Sequence, residues 1–86
     1  DITMQQFNVL RILRGQYPNP VSTSDIRERL IEKMSDTSRI VERLHKVKLA
    51  EKHPNPNDKR LIDVTITPKG LKLLKQIDGD FPELLS

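Results

Sequence analysis

The sequence predicts an α+β domain in which three helices are followed by a two-stranded hairpin and a closing helix. Three observations carry that expectation. Apolar residues recur at helical spacing in three short stretches, and each stretch is opened by a residue suited to cap a helix. The period then changes to alternation at Ile62, Val64 and Ile66. Directly afterwards Thr67-Pro68 marks a new helix start, because proline fits the first helical position, where its missing N–H is not needed. Two short, closely joined helices ahead of such a hairpin read as a winged helix-turn-helix.

Thr3-Met4-Gln5-Gln6 matches a capping box, with Thr3 as the cap and Gln6 reaching back. Phe7, Val9, Leu10 and Leu13 supply the apolar face of the first helix, and Gly15 with Pro18-Asn19-Pro20 ends it. Val21 suits a very short strand. Ser22-x-x-Asp25 is a second capping box, after which Ile26, Leu30 and Ile31 form one face and Arg27, Glu28, Arg29 and Glu32 the other. Ser35 or Asp36 caps the third helix, where Ile40, Val41, Leu44 and Val47 are expected to face inward. Leu49 to His53 forms one strand, Pro54-Asn55-Pro56-Asn57-Asp58 the hairpin tip, and Ile62 to Ile66 the returning strand. The two prolines stiffen the tip, since they cannot donate backbone hydrogen bonds. In the last helix Leu71, Leu74 and Ile77 make one stripe with Leu73 off it. Gly79 and Pro82 end or bend that helix, leaving Phe81, Leu84 and Leu85 as an apolar tail.

Eighty-six residues make one domain, 1–86, with 68–86 as the C-terminal helix and tail. Two Phe, one Tyr and no Trp leave a core built mainly of Leu, Ile and Val. The formal charge of +3 is mild, but its distribution is not even. Residues 36–60 carry seven Lys/Arg against four Asp/Glu, whereas residues 61–86 carry three against four. The absence of Cys excludes disulfides, thiol redox sensing and Cys-based zinc sites. No stretch approaches a membrane span, and no signal peptide is visible, so a cytoplasmic location is expected. The sequence starts at Asp1 without an initiator Met and reads as a processed or trimmed piece.

The charge excess falls on residue types that meet nucleic acid. The third helix offers Ser35, Thr37, Ser38, Arg39, Arg43 and Lys46 near its start and along its open side. Arginine grips guanine O6 and N7 with two hydrogen bonds, and short hydroxyls bond base or phosphate. The N-terminus of the helix adds free N–H groups and a dipole that favours phosphate. Glu42 is awkward beside a polyanion and is expected to pair with Arg39 or Lys46, or to accept from a cytosine amine. The tip gathers His53, Asn55, Asn57, Lys59 and Arg60 around a rigid turn. An arginine projecting from it suits the narrow, negative minor groove of A·T-rich DNA. Asp58 is better read as a brace for Arg60 than as a DNA contact. The plainer reading of the helix is an ordinary solvated charged face, and of the tip an ordinary solvated turn. The two features occurring in succession favour DNA.

These motifs resemble the MarR family of bacterial transcriptional regulators. The resemblance rests on Asp58-Lys59-Arg60, Val64, Thr65-Ile66-Thr67, Gly70 and Leu73-Leu74. It extends to Thr3, Gln6-Phe7 and Val9-Leu10 upstream, and to Ser38-Arg39-Ile40-Val41 and Arg43-Leu44 in the third helix. It implies that Ser35, Thr37, Ser38, Arg39 and Arg43 lie on a major-groove helix, that Arg60 enters the minor groove, and that Asp58 supports it. It further implies a homodimer on a roughly palindromic operator, action usually as a repressor, and release by a small phenolic or other lipophilic effector. Lys48 stands where the family usually has Gly, and His53 where Arg is more usual. Relative to the family, the long first helix that intertwines with the partner subunit is missing and the C-terminal helix that completes the dimer interface looks short, so the sequence resembles a DNA-binding core with its dimerisation frame cut back or altered.

Other chemistry finds little support. His45 and His53 make a poor metal pair in the absence of Cys, and three glycines form no phosphate loop, so no metal or cofactor is expected. Asp58 and Asp63 have no electrophile between them, and no enzymatic role is expected. Met4 and Met34 read as packing residues. The alternative function is a winged-helix protein-interaction module without DNA reading, suggested by the mild charge, Glu42 and the apolar tail.

Overall fold

The structure is a computed structural model and describes residues 2–30 and 36–79. Among the described residues four helices accompany a three-stranded antiparallel sheet of order β1-β3-β2. The expectations for Ile31, Glu32, Met34, Ser35, Phe81, Pro82, Leu84 and Leu85 lie outside the described residues.

Helix α1 spans Met4–Gln16 and opens on the capping box: the Thr3 hydroxyl accepts from the Gln6 N–H at 3.1 Å, and the Gln6 side chain accepts from the Thr3 N–H at 3.0 Å. Val9, Leu10 and Leu13 are buried, while Phe7 is half-buried against the same core. The helix continues through Gly15 and stops at Gln16, ahead of a cis Tyr17-Pro18 bond. Strand β1 is the two-residue Val21–Ser22, and Ser22 also caps α2, Thr23–Arg29, by accepting from the Asp25 N–H. Ile26 and Leu30 fill the space between α2 and the sheet.

Helix α3, Thr37–Lys46, buries Ile40, Val41 and Leu44 at the predicted spacing. Val47 corrects the expectation that it faces inward. The helix ends at Lys46, Val47 serves as its C-cap, and its side chain is 50% exposed. Extrapolating the helical period one residue past the true end placed it wrongly. Lys48 then takes a left-handed backbone, φ 66°, a conformation that favours glycine. A side chain there costs roughly 1–2 kcal/mol because Cβ crowds the following carbonyl.

Strand β2, Ala50–Pro54, pairs with β3, Ile62–Ile66, in the register Ala50↔Ile66 to Pro54↔Ile62. Pro54 is thus the last strand residue and not part of the tip. It sits on the outer strand, where a missing donor is tolerated. Val64 and Ile66 are buried. Asp63, on the opposite face of β3, is also largely covered.

Helix α4, Pro68–Gly79, begins at Pro68 directly after Thr67, as predicted. The Thr67 hydroxyl accepts from the Gly70 N–H at 3.1 Å and donates to the Lys48 carbonyl at 2.8 Å. Leu74 is fully buried, and Leu71 and Leu73 both pack against the core. Leu73 therefore joins the apolar face that periodicity had left it off, because α4 meets both α1 and β3. Arg14 and Asp78 close the far end of the α1–α4 pair at 2.8 Å.

Gly70 permits the close approach of α4 to the α3–β2 turn. A Cβ there would lie 2.5 Å from the Leu49 carbonyl oxygen and 2.7 Å from Ile66 Cγ1. Gly70→Ala is expected to cost about 1–3 kcal/mol through this overlap, measured by urea unfolding; an unchanged midpoint would refute the close contact. Lys48→Gly removes the left-handed penalty but adds freedom to the unfolded chain, for a net gain of about 0.5–1 kcal/mol. A loss of stability in the same assay would show that Lys48 is not strained.

Candidate nucleic-acid interface

Two elements present the polar residues singled out in the sequence. The first is α3. Its N-cap is Asp36, whose carboxylate accepts from the Arg39 N–H at 3.2 Å; Ser35, the other candidate cap, lies outside the described residues. Arg39, Arg43 and Lys46 are exposed and, at i, i+4 and i+7, share one face of the helix. Ser38 is exposed beside Arg39. Among the described residues no salt bridge holds Arg39, Arg43 or Lys46.

Thr37 requires a correction. It is only 6% exposed, on the same face as Val41 and Leu44, and its hydroxyl meets no partner among the described residues. Its place in the first turn suggested a groove contact, but the helical phase turns it into the domain. Glu42 also departs from expectation. It pairs with neither Arg39 nor Lys46 but with Lys52 on β2, Oε2 to Nζ at 2.5 Å. The Lys52 hydrogen bond and charge hold the Glu42 carboxyl below the usual glutamate range. The pair ties α3 to the sheet and neutralises the one acid on the exposed face of α3. Cross-element pairing of this kind is invisible to helical spacing.

The second element is the wing, the β2–β3 hairpin with its turn at 55–61. Asn57 and Lys59 are exposed there. Asp58 Oδ1 accepts from the Arg60 N–H at 2.9 Å and from Arg60 Nε at 3.2 Å, and Oδ2 accepts from Nη2 at 3.3 Å. The Arg60 side chain is nevertheless 89% exposed. Asp58 thus orients the guanidinium without covering it, which is the bracing arrangement expected from the sequence. These bonds from Arg60 lower the Asp58 pKa.

His53 lies within β2 opposite Asp63, not at the tip. Its Nε2 is 3.1 Å from Thr65 Oγ1 and 3.8 Å from Glu51. His45 is exposed near the end of α3. Sequence reading missed Lys52 as the partner of Glu42, and it missed the set of bonds made by Asn55. Its amide oxygen accepts from the Asn57 and Asp58 N–H groups at 2.8 and 2.9 Å. Asn is a known organiser of such turns, so its position ahead of Pro-Asn-Asp was the available signal.

Among the described residues no cluster of three or more His, Cys, Asp or Glu is placed to hold a metal. None of their helices is long and apolar enough to cross a membrane.

The sequence profile of the winged helix DNA-binding domain family matches residues 2–70. No curated protein sequence matches the chain. Among solved structures, a MarR transcription factor from Planctomyces limnophilus is 31% identical, with a TM-score of 0.84 over 96% of this chain and 59% of its own. A cysteine-to-serine mutant of MarR from E. coli is 29% identical, with a TM-score of 0.85 over 99% of this chain and 61% of its own. A point mutant of S. aureus MepR bound to an oligodeoxyribonucleotide is 25% identical, with a TM-score of 0.86 over 98% of this chain and 61% of its own. The chain therefore spans about three-fifths of the length of these structures. They bear out the resemblance to MarR regulators read from the sequence.

The Asp58–Arg60 pair gives a pH test. Because the folded-state pKa of Asp58 is depressed, the pair is intact above the ordinary aspartate value of 3.8 and is lost as pH falls through the lower folded value. An NMR titration of the Asp58 carboxyl should show a midpoint below 3.8, moving upward in Arg60→Ala. A midpoint at or above the ordinary value in the wild type would mean that the brace does not form in solution.

Proposed function

The chain belongs to the winged helix DNA-binding domain family, and we propose that it reads double-stranded DNA by sequence as part of a bacterial transcriptional regulator, acting as a repressor. The carrying observation is that Arg39, Arg43 and Lys46 share one exposed face of α3, while Asp58 holds Arg60 out on the adjoining wing. In this reading α3 lies in a major groove, with Arg39 and Arg43 addressing base edges and Ser38 and Lys46 addressing phosphate. Asn57, Lys59 and Arg60 meet the neighbouring minor groove, where a narrow A·T-rich segment concentrates negative potential. Asp58 supports Arg60 and does not touch DNA. Ser35 is a further proposed contact, whereas buried Thr37 is not one. No chemical step is involved; occupancy of the site is the output.

The S. aureus MepR mutant bound to an oligodeoxyribonucleotide supports the partner class. Homodimerisation and an effector rest on the family resemblance alone. If the regulator acts as a dimer, its half-sites lie about one helical turn apart.

The test is selection from a randomised duplex pool, followed by fluorescence anisotropy at several salt concentrations. An enriched site, with affinity falling steeply as salt rises, is expected because each neutralised phosphate releases counterions. Arg39→Ala should cost roughly 1–3 kcal/mol on the selected site, with folding intact. Arg60→Ala should reduce the preference for A·T-rich flanks. A pool that yields no enriched site and no low-salt binding would sink the proposal and favour a protein-interaction module.

A further inference from the structure

Arg60 takes its direction from Asp58, and Asp58 must itself be held in place. The turn at 55–61 has no regular secondary structure, so its shape must come from local bonds. Four of them converge on Asn55. Its backbone N–H donates to the Leu61 carbonyl at 3.2 Å. Its amide oxygen accepts from the Asn57 N–H at 2.8 Å and the Asp58 N–H at 2.9 Å. Its amide nitrogen donates to Asp63 Oδ1 at 3.0 Å.

Asp63 is itself fixed. It lies on β3, the central strand, opposite Ser22 on one side and His53 on the other, and is 9% exposed. The bonds therefore run in series from the sheet through Asp63, Asn55 and Asp58 to the exposed guanidinium of Arg60. We propose that Asn55 is a positioning residue for the wing: by linking turn backbone to the Asp63 carboxylate, it sets where Arg60 points. The role in DNA recognition rests on the minor-groove reading above.

Residue 55 must accept two backbone donors and donate to a carboxylate with the same short side chain. An amide does both. Aspartate in its place would keep the acceptor, lose the donor, and set a second carboxylate against Asp63. Exchanging the two residues restores complementarity, because an amide at position 63 would donate to a carboxylate at position 55.

The experiment compares wild type, Asn55→Asp, Asp63→Asn and the double exchange N55D/D63N, with Arg60→Ala in parallel. Amide-proton temperature coefficients of Asn57 and Asp58 report the turn without DNA. Affinities for the selected duplex with A·T-rich or G·C-rich flanks report its consequence, and thermal unfolding checks that each variant is folded. Asn55→Asp should keep the bonded amides of Asn57 and Asp58, because its carboxylate still accepts from both, yet lose most of the flank preference with the link to Asp63, and the double exchange should regain that preference. Asn57 and Asp58 amides that are unbonded in the wild type, or a double exchange no better than the single variants, would overturn the proposal. A flank preference that survives Asn55→Asp but not Arg60→Ala would also overturn it. A preference unaffected by Arg60→Ala removes the minor-groove reading instead, and the amide signals then decide whether Asn55 holds the turn.

Discussion

The Thr67 side chain joins the two parts of the presenting surface. Its hydroxyl donates to the Lys48 carbonyl and accepts from the Gly70 N–H, while its backbone N–H donates to the Leu49 carbonyl at 3.1 Å. Lys48 and Leu49 form the exit from α3, and Thr67 is the exit from the wing. One largely buried residue thus clamps the end of the helix to the end of the hairpin and starts α4. Valine would match its shape but leave Lys48 and Gly70 each without a partner, and an orphaned buried polar group costs about 1–3 kcal/mol. The close seat of Gly70 on the Leu49 carbonyl and the left-handed Lys48 are the geometric conditions for this joint. Lys69 adds a further bond, from Nζ to the Val47 carbonyl at 3.0 Å.

Within that frame three of the four acids of residues 36–60 have structural tasks. Asp36 caps α3, Glu42 pairs with Lys52, Glu51 stands near His53, and Asp58 holds Arg60. The net charge of +3 in this segment therefore hides an uneven arrangement, because Glu42 and Asp58 are paired with Lys52 and Arg60 while Arg39, Arg43 and Lys46 have no salt bridge among the described residues. For a polyanion the relevant quantity is the arrangement of exposed positive groups rather than the total.

Much of the fold was legible because it rests on local rules. The capping bonds of Thr3 and Ser22, the alternation of Val64 and Ile66, and the Thr67-Pro68 helix start follow from chemistry between near neighbours in sequence. The Asp58–Arg60 brace was readable for the same reason, being a contact across two residues. What escaped depends on tertiary phase. Thr37 and Val47 flank the helix core, and their exposures hang on where α3 begins and ends. The partner of Glu42 comes from another element, brought near only by folding. Leu73 is covered because α4 meets two neighbours at once, which a single-stripe pattern does not anticipate.

Helix α3 and the wing are held by different physics. The inner face of α3 is packed on buried Ile40, Val41 and Leu44, and its end is clamped at Thr67, so displacing it means breaking core contacts. The wing tip extends beyond the paired strands and is shaped by polar bonds around Asn55 and Asp58. Such exposed and half-exposed bonds are individually modest, about 0.5–1.5 kcal/mol each. A substitution in the tip can therefore redirect Arg60 without disturbing the helix, whereas few substitutions in the core can move the helix without weakening the whole domain. In the proposed function, base readout by the helix and shape readout by the wing are accordingly separable.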